Sequence, residues 1–564
     1  MNGPESNAPG AQATRAWVRG ALLFALGGLA GGGLSANLAR PPHGTREVVF
    51  QAADEGDEAA STISVDGAAD AAEGAQPGGA SMGVSTQPSE PERRALLQRP
   101  LRFLAVGGGA DPVSTQVQLE QDVDLFARTL AALTPGPGAT LFAGGSSVRA
   151  VQVLDGDDTP LATDAWADLR AALGDVLDPR AERAATYRLP AVPVHGEAEA
   201  ARVLELIATQ IAEPGERLEL FIACHGDQGD TPADNYVALW GDSAFDAREL
   251  AGALAPPTAQ RGARVLLTAC FGGGFAELAF EGADSSAGPA ASDVCGLFAT
   301  SAEHESSGCD PNPDRQAQEG YALHVLHALR GEGRDGAPLS ALDLDGDGIV
   351  GMLEAHTQAR VASRSIDLPS TTSERYLRSL AAALDVPSGT PASSDEAYAT
   401  PEEDAVIRAL GALLGIASEG DAESTRAMLE TQLGEAAARV EALGAEEDEA
   451  QRALVLRLAE RWPELLDPFR ADFERTLRRD APALRLLLRS APAASYQRAR
   501  RATDRALLAE ENLRLRWVQV MRLARAFETR RLARALAATR PLTDPARQHY
   551  EALLSCERAP LARR

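Results

Sequence analysis

The chain contains no lysine in 564 residues; apart from eight histidines, every basic side chain is arginine. A biased base composition in the source genome accounts for that without any functional reason. Cysteine is scarce too. Five in a chain of this length exclude a fold scaffolded by disulfides. Cys295 and Cys309 are the only pair close enough in sequence to suggest a local bridge. Positive charge is in deficit: the net charge of −27 argues against general binding to nucleic acid or anionic membranes. A dinucleotide fingerprint is also missing. Gly107-Gly108-Gly109 follows an apolar run, but the G-x-G-x-x-G spacing is not completed. What is present, 45% hydrophobic residues, is ample for a packed core and suggests two to four domains.

The most informative stretch is Arg264 to Gly274, RVLLTACFGGG. A short apolar run closed by glycines reads as a buried strand of a parallel sheet. The glycines allow a sharp turn and a close approach to a ligand. Cys270 therefore stands at the carboxyl end of a central strand, where open α/β sheets bind their ligands. A second run, Arg217 to Gly226 (RLELFIACHG), ends in His225-Gly226 and a polar loop. The 45 residues between His225 and Cys270 leave room for one crossover helix between neighbouring parallel strands. A cysteine nucleophile needs such an imidazole, because the thiolate is the reactive species. His195-Gly196 is a second His-Gly pair, but Pro193 interrupts its strand. His225 is the preferred base and His195 the reserve.

Strand-His-Gly followed by strand-Ala-Cys-x-Gly-Gly resembles the caspase–hemoglobinase superfamily of cysteine peptidases, which includes caspases, metacaspases and legumain. The Ala269-Cys270-Phe271-Gly272-Gly273 run is similar to metacaspases. Ala299-Thr300-Ser301-Ala302, Glu305-Ser306-Ser307 and Cys309 are similar to legumain, where this segment helps form the specificity pocket. Thr268 stands where legumain-type enzymes carry an acidic residue, so an asparagine preference is not carried over. The resemblance covers roughly residues 100–385. It implies a caspase-like fold, a protein or peptide substrate and no organic cofactor. It further implies Cys270 as nucleophile, His225 as acid/base, and backbone N–H groups of Gly226 and Cys270 for the oxyanion. Ser306, Ser307 and Asp310 would line the substrate pocket. The competing expectation is a catalytically inactive caspase-like adaptor that acts by protein–protein interaction.

In chain order, residues 1–40 carry Arg15 and Arg19 ahead of an uncharged Leu/Ala/Gly-rich run, followed by Leu34-Ser35-Ala36. This pattern fits either a cleaved export signal or an uncleaved membrane anchor with the bulk of the chain outside the cytoplasm. Residues 41–98 are Ala/Gly/Ser/Pro-rich and acidic, the composition of a flexible linker. Strands and helices alternate over 99–385, which predicts an α/β fold with a mostly parallel sheet flanked by helices. Within it, Asp343 to Glu354 (DLDGDGIVGMLE) fits an EF-hand loop. Asp343, Asp345, Asp347 and Glu354 are the candidate Ca²⁺ ligands, and the plainer reading is an acidic turn capping the next helix. Asp367 to Tyr376 reads as a polar loop, and residues 386–399 as a linker.

From Thr400 to the end the pattern is all-helical, opened by Thr400-Pro401-Glu402-Glu403 as a capping box. Breaks are expected near Gly415–Gly420, Gly444, Pro492 and Pro541. Residues 451–564 hold 25 arginines against 13 acids, opposite in sign to the rest of the chain. That surplus fits a solvated bundle, or docking against the acidic α/β region or an acidic protein partner. Nothing in it specifies nucleic acid.

Overall fold

The computed structural model describes residues 87–154, 166–178, 185–340, 342–384 and 398–561. The export or anchor segment, most of the 41–98 linker and nearly all of the 386–399 linker lie outside these residues. The end of the first linker, Glu90–Leu97, is helical, with Ser89 and Glu92 closing a capping box. Among the described residues, no helix is long and apolar enough to cross a membrane.

Among the described residues, eleven strands follow. β1 (Phe103–Gly107) and β2 (Gly138–Phe142) pair in parallel. β3 (Val151–Leu154) and β4 (Ala185–Arg188) form an antiparallel pair that the sequence pattern did not suggest. β5 (Leu218–Ala223) joins β1, and β6 (His225–Asp227), β7 (Tyr236–Leu239) and β8 (Ser243–Asp246) make a small antiparallel sheet. β9 (Ala263–Leu267), β10 (Val294–Phe298) and β11 (Ser370–Thr371) complete the main sheet. Its order is β11-β10-β9-β5-β1-β2, and only β11 runs antiparallel to its neighbour. The fold is α/β, with a mostly parallel six-stranded sheet and a long all-helical C-terminal region. The segment read as a polar loop, Asp367 to Tyr376, instead supplies β11 and the start of the helix Thr372–Ser379.

Strand residues alternate between two cores, as a period of two requires. Leu220 and Ile222 of β5 and Val265 and Leu267 of β9 join one core, covered by the helices Ala200–Ala212 and Ala247–Leu254. Phe221, Leu266 and Leu297 join the other. On that second face, α1 (Val117–Leu133), the helix Tyr321–Leu329 and α2 (Met352–Ala362) join the core, while α3 (Pro401–Leu414) and α4 (Glu419–Arg461) pack on α5 (Ala491–Thr539), which is followed by α6 (Pro545–Arg558). Leu532 and Leu536 of α5 and Tyr550, Leu553 and Leu554 of α6 belong to the same core as the sheet residues. The C-terminal helices thus close one face of the sheet.

Three local expectations change. Cys295 pairs with Cys556 of α6, and not with Cys309. The β10 side chain points into the face that α6 covers, whereas Cys309 lies near the carboxyl edge of the sheet. Gly444 does not break α4, because the helix is held along its length against α5 by a seam that includes Leu429, Leu454 and Leu458. Glu403 does not close a box on Thr400. Its carboxylate takes a two-point ion pair from buried Arg360 at 2.8 Å each, a stronger use of the charge. Part of the arginine surplus is spent within the chain, as in Arg530–Asp404 and Arg531–Glu419.

Two buried charges tie α6 to the sheet. Arg264 of β9 forks onto Glu219 of β5 at 2.9 Å and donates to the carbonyl oxygens of Cys556 and Ala559. Glu557 accepts from Thr372 Oγ1 at 2.6 Å and Ser373 N at 2.7 Å. Burial pushes its carboxyl up to about 7, against the pull of those hydrogen bonds. The folded state therefore holds a proton that an unfolded glutamate releases near 4.5. Stability should be greatest below that window and fall as pH rises through it, by up to about 3 kcal/mol from this group. In Glu557→Gln that fall should largely disappear, as read by denaturant unfolding at about pH 5 and about pH 8.

Candidate active site

The parallel register pairs Ile222 of β5 with Leu267 of β9. His225 and Cys270 each lie three residues beyond that pair, so both leave the sheet at the same edge. The Thr268 N–H extends the ladder by donating to the Ile222 carbonyl at 2.9 Å. After Cys270 the chain turns at Phe271, a non-glycine residue in the left-handed region (φ 57°). Its N–H donates to the His304 carbonyl at 2.8 Å, and its carbonyl accepts from buried Asn235 Nδ2 at 3.0 Å. Asn235 also donates to the Ala302 carbonyl at 2.9 Å, joining the turn to the 302–310 loop.

Two glycines are required by close approach. A Cβ on Gly226 would sit 3.1 Å from the Ala269 methyl and inside contact distance of the Cys270 carbonyl. A Cβ on Gly273 would overlap the Ser301 backbone. The His-Gly and Cys segments therefore run backbone against backbone.

The imidazole of His225 has one side filled. Nε2 lies 2.9 Å from the Ser114 carbonyl and 2.9 Å from Gln116 Oε1. A backbone carbonyl can only accept, so Nε2 carries the hydrogen and Nδ1 keeps its lone pair. Burial lowers the pKa of the ring, and the bond to Ser114 opposes that pull. Nδ1 faces Cys309, whose Sγ is 3.8 Å away. Cys270 Sγ receives the Ser306 N–H at 3.3 Å and lies 3.6 Å from the Ser306 carbonyl. Burial first, and then neighbouring Cys309, push the Cys270 thiol up to about 12, while the Ser306 backbone bond pulls it down. Cys224, directly before His225, is a further thiol, fully buried and held well above its ordinary value.

Of the other expected site residues, Ser306 touches the thiol. Ser307 donates its N–H to Asp367 Oδ1 at 2.6 Å, and its own hydroxyl is buried without a hydrogen-bond partner among the described residues. Asp310 is turned to its own loop: its carboxylate caps Asn312 N at 2.8 Å, and its backbone is docked on Gln118 of α1. His195 is not brought to the thiols. Its Nδ1 accepts the Thr140 N–H of edge strand β2 at 3.0 Å. Ser114, Gln116 and Asn235 at the site were missed by pattern reading, and Cys309, named with the pocket segment, was given no role beside the imidazole. A cysteine already conspicuous beside Glu305-Ser306-Ser307 was the one usable signal.

In the acidic loop, carboxylate oxygens of Asp343, Asp345 and Glu354 lie within 4.8 Å of one another. Asp347 is outside that group and caps Ile349 N at 2.8 Å. Gly348, at the sixth position, has φ 83°, the left-handed turn such a loop needs. Glu354 lies at the start of α2, accepting from Gly351 N at 2.7 Å and from the Leu344 N–H.

No family model, curated protein or solved structure matches the chain. The functional reading therefore rests on the geometry and on the motif resemblance alone. The Gly226 contact is directly testable. Gly226→Ala should destabilise the fold by about 1–3 kcal/mol, the usual cost of overpacking a close contact. Chemical denaturation should show a lower midpoint with an unchanged slope.

Proposed function

We propose that the chain is a cysteine endopeptidase similar to the caspase–hemoglobinase superfamily. The observation that carries this reading is the fixed tautomer of His225. Its Nε2–H is spent on Ser114 and Gln116, so Nδ1 keeps its lone pair and faces a thiol at the carboxyl edge of two adjacent parallel strands.

In the proposed reaction Cys270 Sγ attacks the scissile carbonyl carbon as its proton passes to His225 Nδ1. Backbone N–H groups of Gly226 and Cys270 receive the oxyanion, each such donor typically worth about 10²–10³ in turnover. The C–N bond breaks, His225 gives its proton to the leaving amine, and a thioester remains. Water then loses a proton to Nδ1 and attacks, the C–S bond breaks, and the thiol is restored. Ser306, Ser307 and the Asp310 loop border the path of the substrate. Because the thiol is held at about 12 and the ring is neutral, deprotonation accompanies attack and is not complete beforehand.

A second reading draws on one specific contact: Nδ1 faces Cys309 at 3.8 Å. With the base engaged elsewhere, the chain would be an inactive adaptor. A fluorogenic peptide panel with the purified full chain separates the two. Wild type and Cys309→Ser should cleave, and Cys270→Ala should lose at least about 10³-fold. Absence of cleavage by wild type, with Cys270 also refractory to a thiol-directed peptide electrophile, would establish the adaptor.

We further propose that the chain is exported, a reading that the N-terminal signal and the Cys295–Cys556 disulfide support. We also propose that Asp343, Asp345 and Glu354 bind Ca²⁺, with Asp347 as a fourth carboxylate. Hard oxygen donors around a glycine turn suit that ion. Calorimetric titration should give one Ca²⁺ per chain, weakened about 10-fold or more in Glu354→Gln; an unchanged isotherm would move the site elsewhere.

A further inference from the structure

Arg522 of α5 is 2% exposed, one of the largest fully buried side chains in the molecule. Among the described residues, its guanidinium makes no direct hydrogen bond to a carboxylate. It donates through Nε to the Asp367 carbonyl at 2.8 Å, through Nη1 to the Ser363 carbonyl at 2.7 Å and through Nη2 to the Ser365 carbonyl at 3.1 Å. The Arg360 carbonyl lies at 3.3 Å from Nη1. Nη2 also lies 3.5 Å from Ser365 Oγ, and all five acceptors belong to the end of α2 and the turn that follows it. Burying a cation against neutral acceptors is costly, and packing alone would be served as well by a methionine.

The turn that Arg522 organises ends at the thiol. Ser365 Oγ donates to Asp367 Oδ2 at 2.7 Å. Asp367 Oδ1 accepts the Ser307 N–H at 2.6 Å. The preceding peptide N–H, that of Ser306, is the one directed at Cys270 Sγ at 3.3 Å. Four links therefore run from a helix of the C-terminal region to the sulfur: Arg522, the 363–367 turn, the Asp367 carboxylate and the Ser306–Ser307 peptides. We propose that Arg522 is a positioning residue for Cys270, holding the Ser306 N–H where it stabilises the thiolate as it forms. This rests on the peptidase reading for its purpose, but the chain of bonds and its test stand without it.

The test reads the thiol and not peptide cleavage. In the full-length chain, the pH dependence of Cys270 alkylation by iodoacetamide is followed by mass spectrometry of the Cys270 peptide. Arg522→Met should slow alkylation at neutral pH about 10-fold, the effect of losing one hydrogen bond to a charged group, and should move the profile to higher pH. Arg522→Lys should recover part of the rate. Ser365→Ala is small and sits in the same turn. It should shift the profile in the same direction and keeps the test decisive if Arg522→Met fails to fold. Arg264→Met removes an equally buried arginine at the opposite end of β9; it should lower stability and leave the Cys270 profile unchanged. Unaltered alkylation in folded Arg522→Met, or in Ser365→Ala where Arg522→Met does not fold, would overturn the proposal. So would an equal slowing in Arg264→Met. If wild type labels but cleaves no peptide, the peptidase reading fails and the positioning role is still judged on these profiles.

Discussion

The parallel hydrogen-bond ladder between β5 and β9 is the constraint on which the site depends. Pairing of Ile222 with Leu267 places the segments ending in His225 and Cys270 at one height beyond the sheet. A slip of one residue would turn every side chain of a strand to the opposite face. Both strands are buried on both faces, so that error would disturb two cores at once. The same burial that fixes the register also sets the chemistry. It lowers the pKa of the imidazole and raises that of the thiol, so both groups rest uncharged. An uncharged pair is stable in an apolar surround and costs little to keep.

The surrounding loops refine this arrangement from several directions. Ser114 and Gln116, at the entry to α1, decide which imidazole nitrogen is protonated. Asn235 ties the turn after Cys270 to the 302–310 loop. That loop brings Ser306 to the Cys270 thiol and Cys309 to the His225 ring. Each contact is modest, and together they leave the thiol few directions from which it can be approached.

The all-helical region is structurally continuous with the sheet. α6 is joined to it by a disulfide, by buried Arg264 donating to the Cys556 and Ala559 carbonyls, and by the Glu557 carboxyl. α5 adds Arg522 and apolar residues to the core beneath the sheet. Buried ion pairs rarely add much net stability over an apolar core. Their value lies in fixing one relative position of the elements they join, and that position is what reaches the thiol.

The apolar runs ending at Ala223 and Leu267 were legible because each is short, continuous and closed by a residue that breaks the pattern. The helices were legible for the same local reason, with errors where tertiary contacts won, as at Gly444 and Glu403. The partner of Cys295 was not legible: Cys556 lies 261 residues away, and nothing local distinguishes it from Cys309. Nor were the roles of Ser114, Gln116, Asp367 and Arg522, whose side chains or carbonyls become neighbours only after the sheet has closed. Sequence alone determined the long apolar strands and most of the helices, though not β3, β4 or β11, and which imidazole and thiol stand at strand ends, because periodicity and glycine punctuation act over a few residues. Tertiary structure decided which nitrogen of His225 is free, which peptide faces the sulfur and what the C-terminal helices cover, because those depend on contacts between residues far apart along the chain.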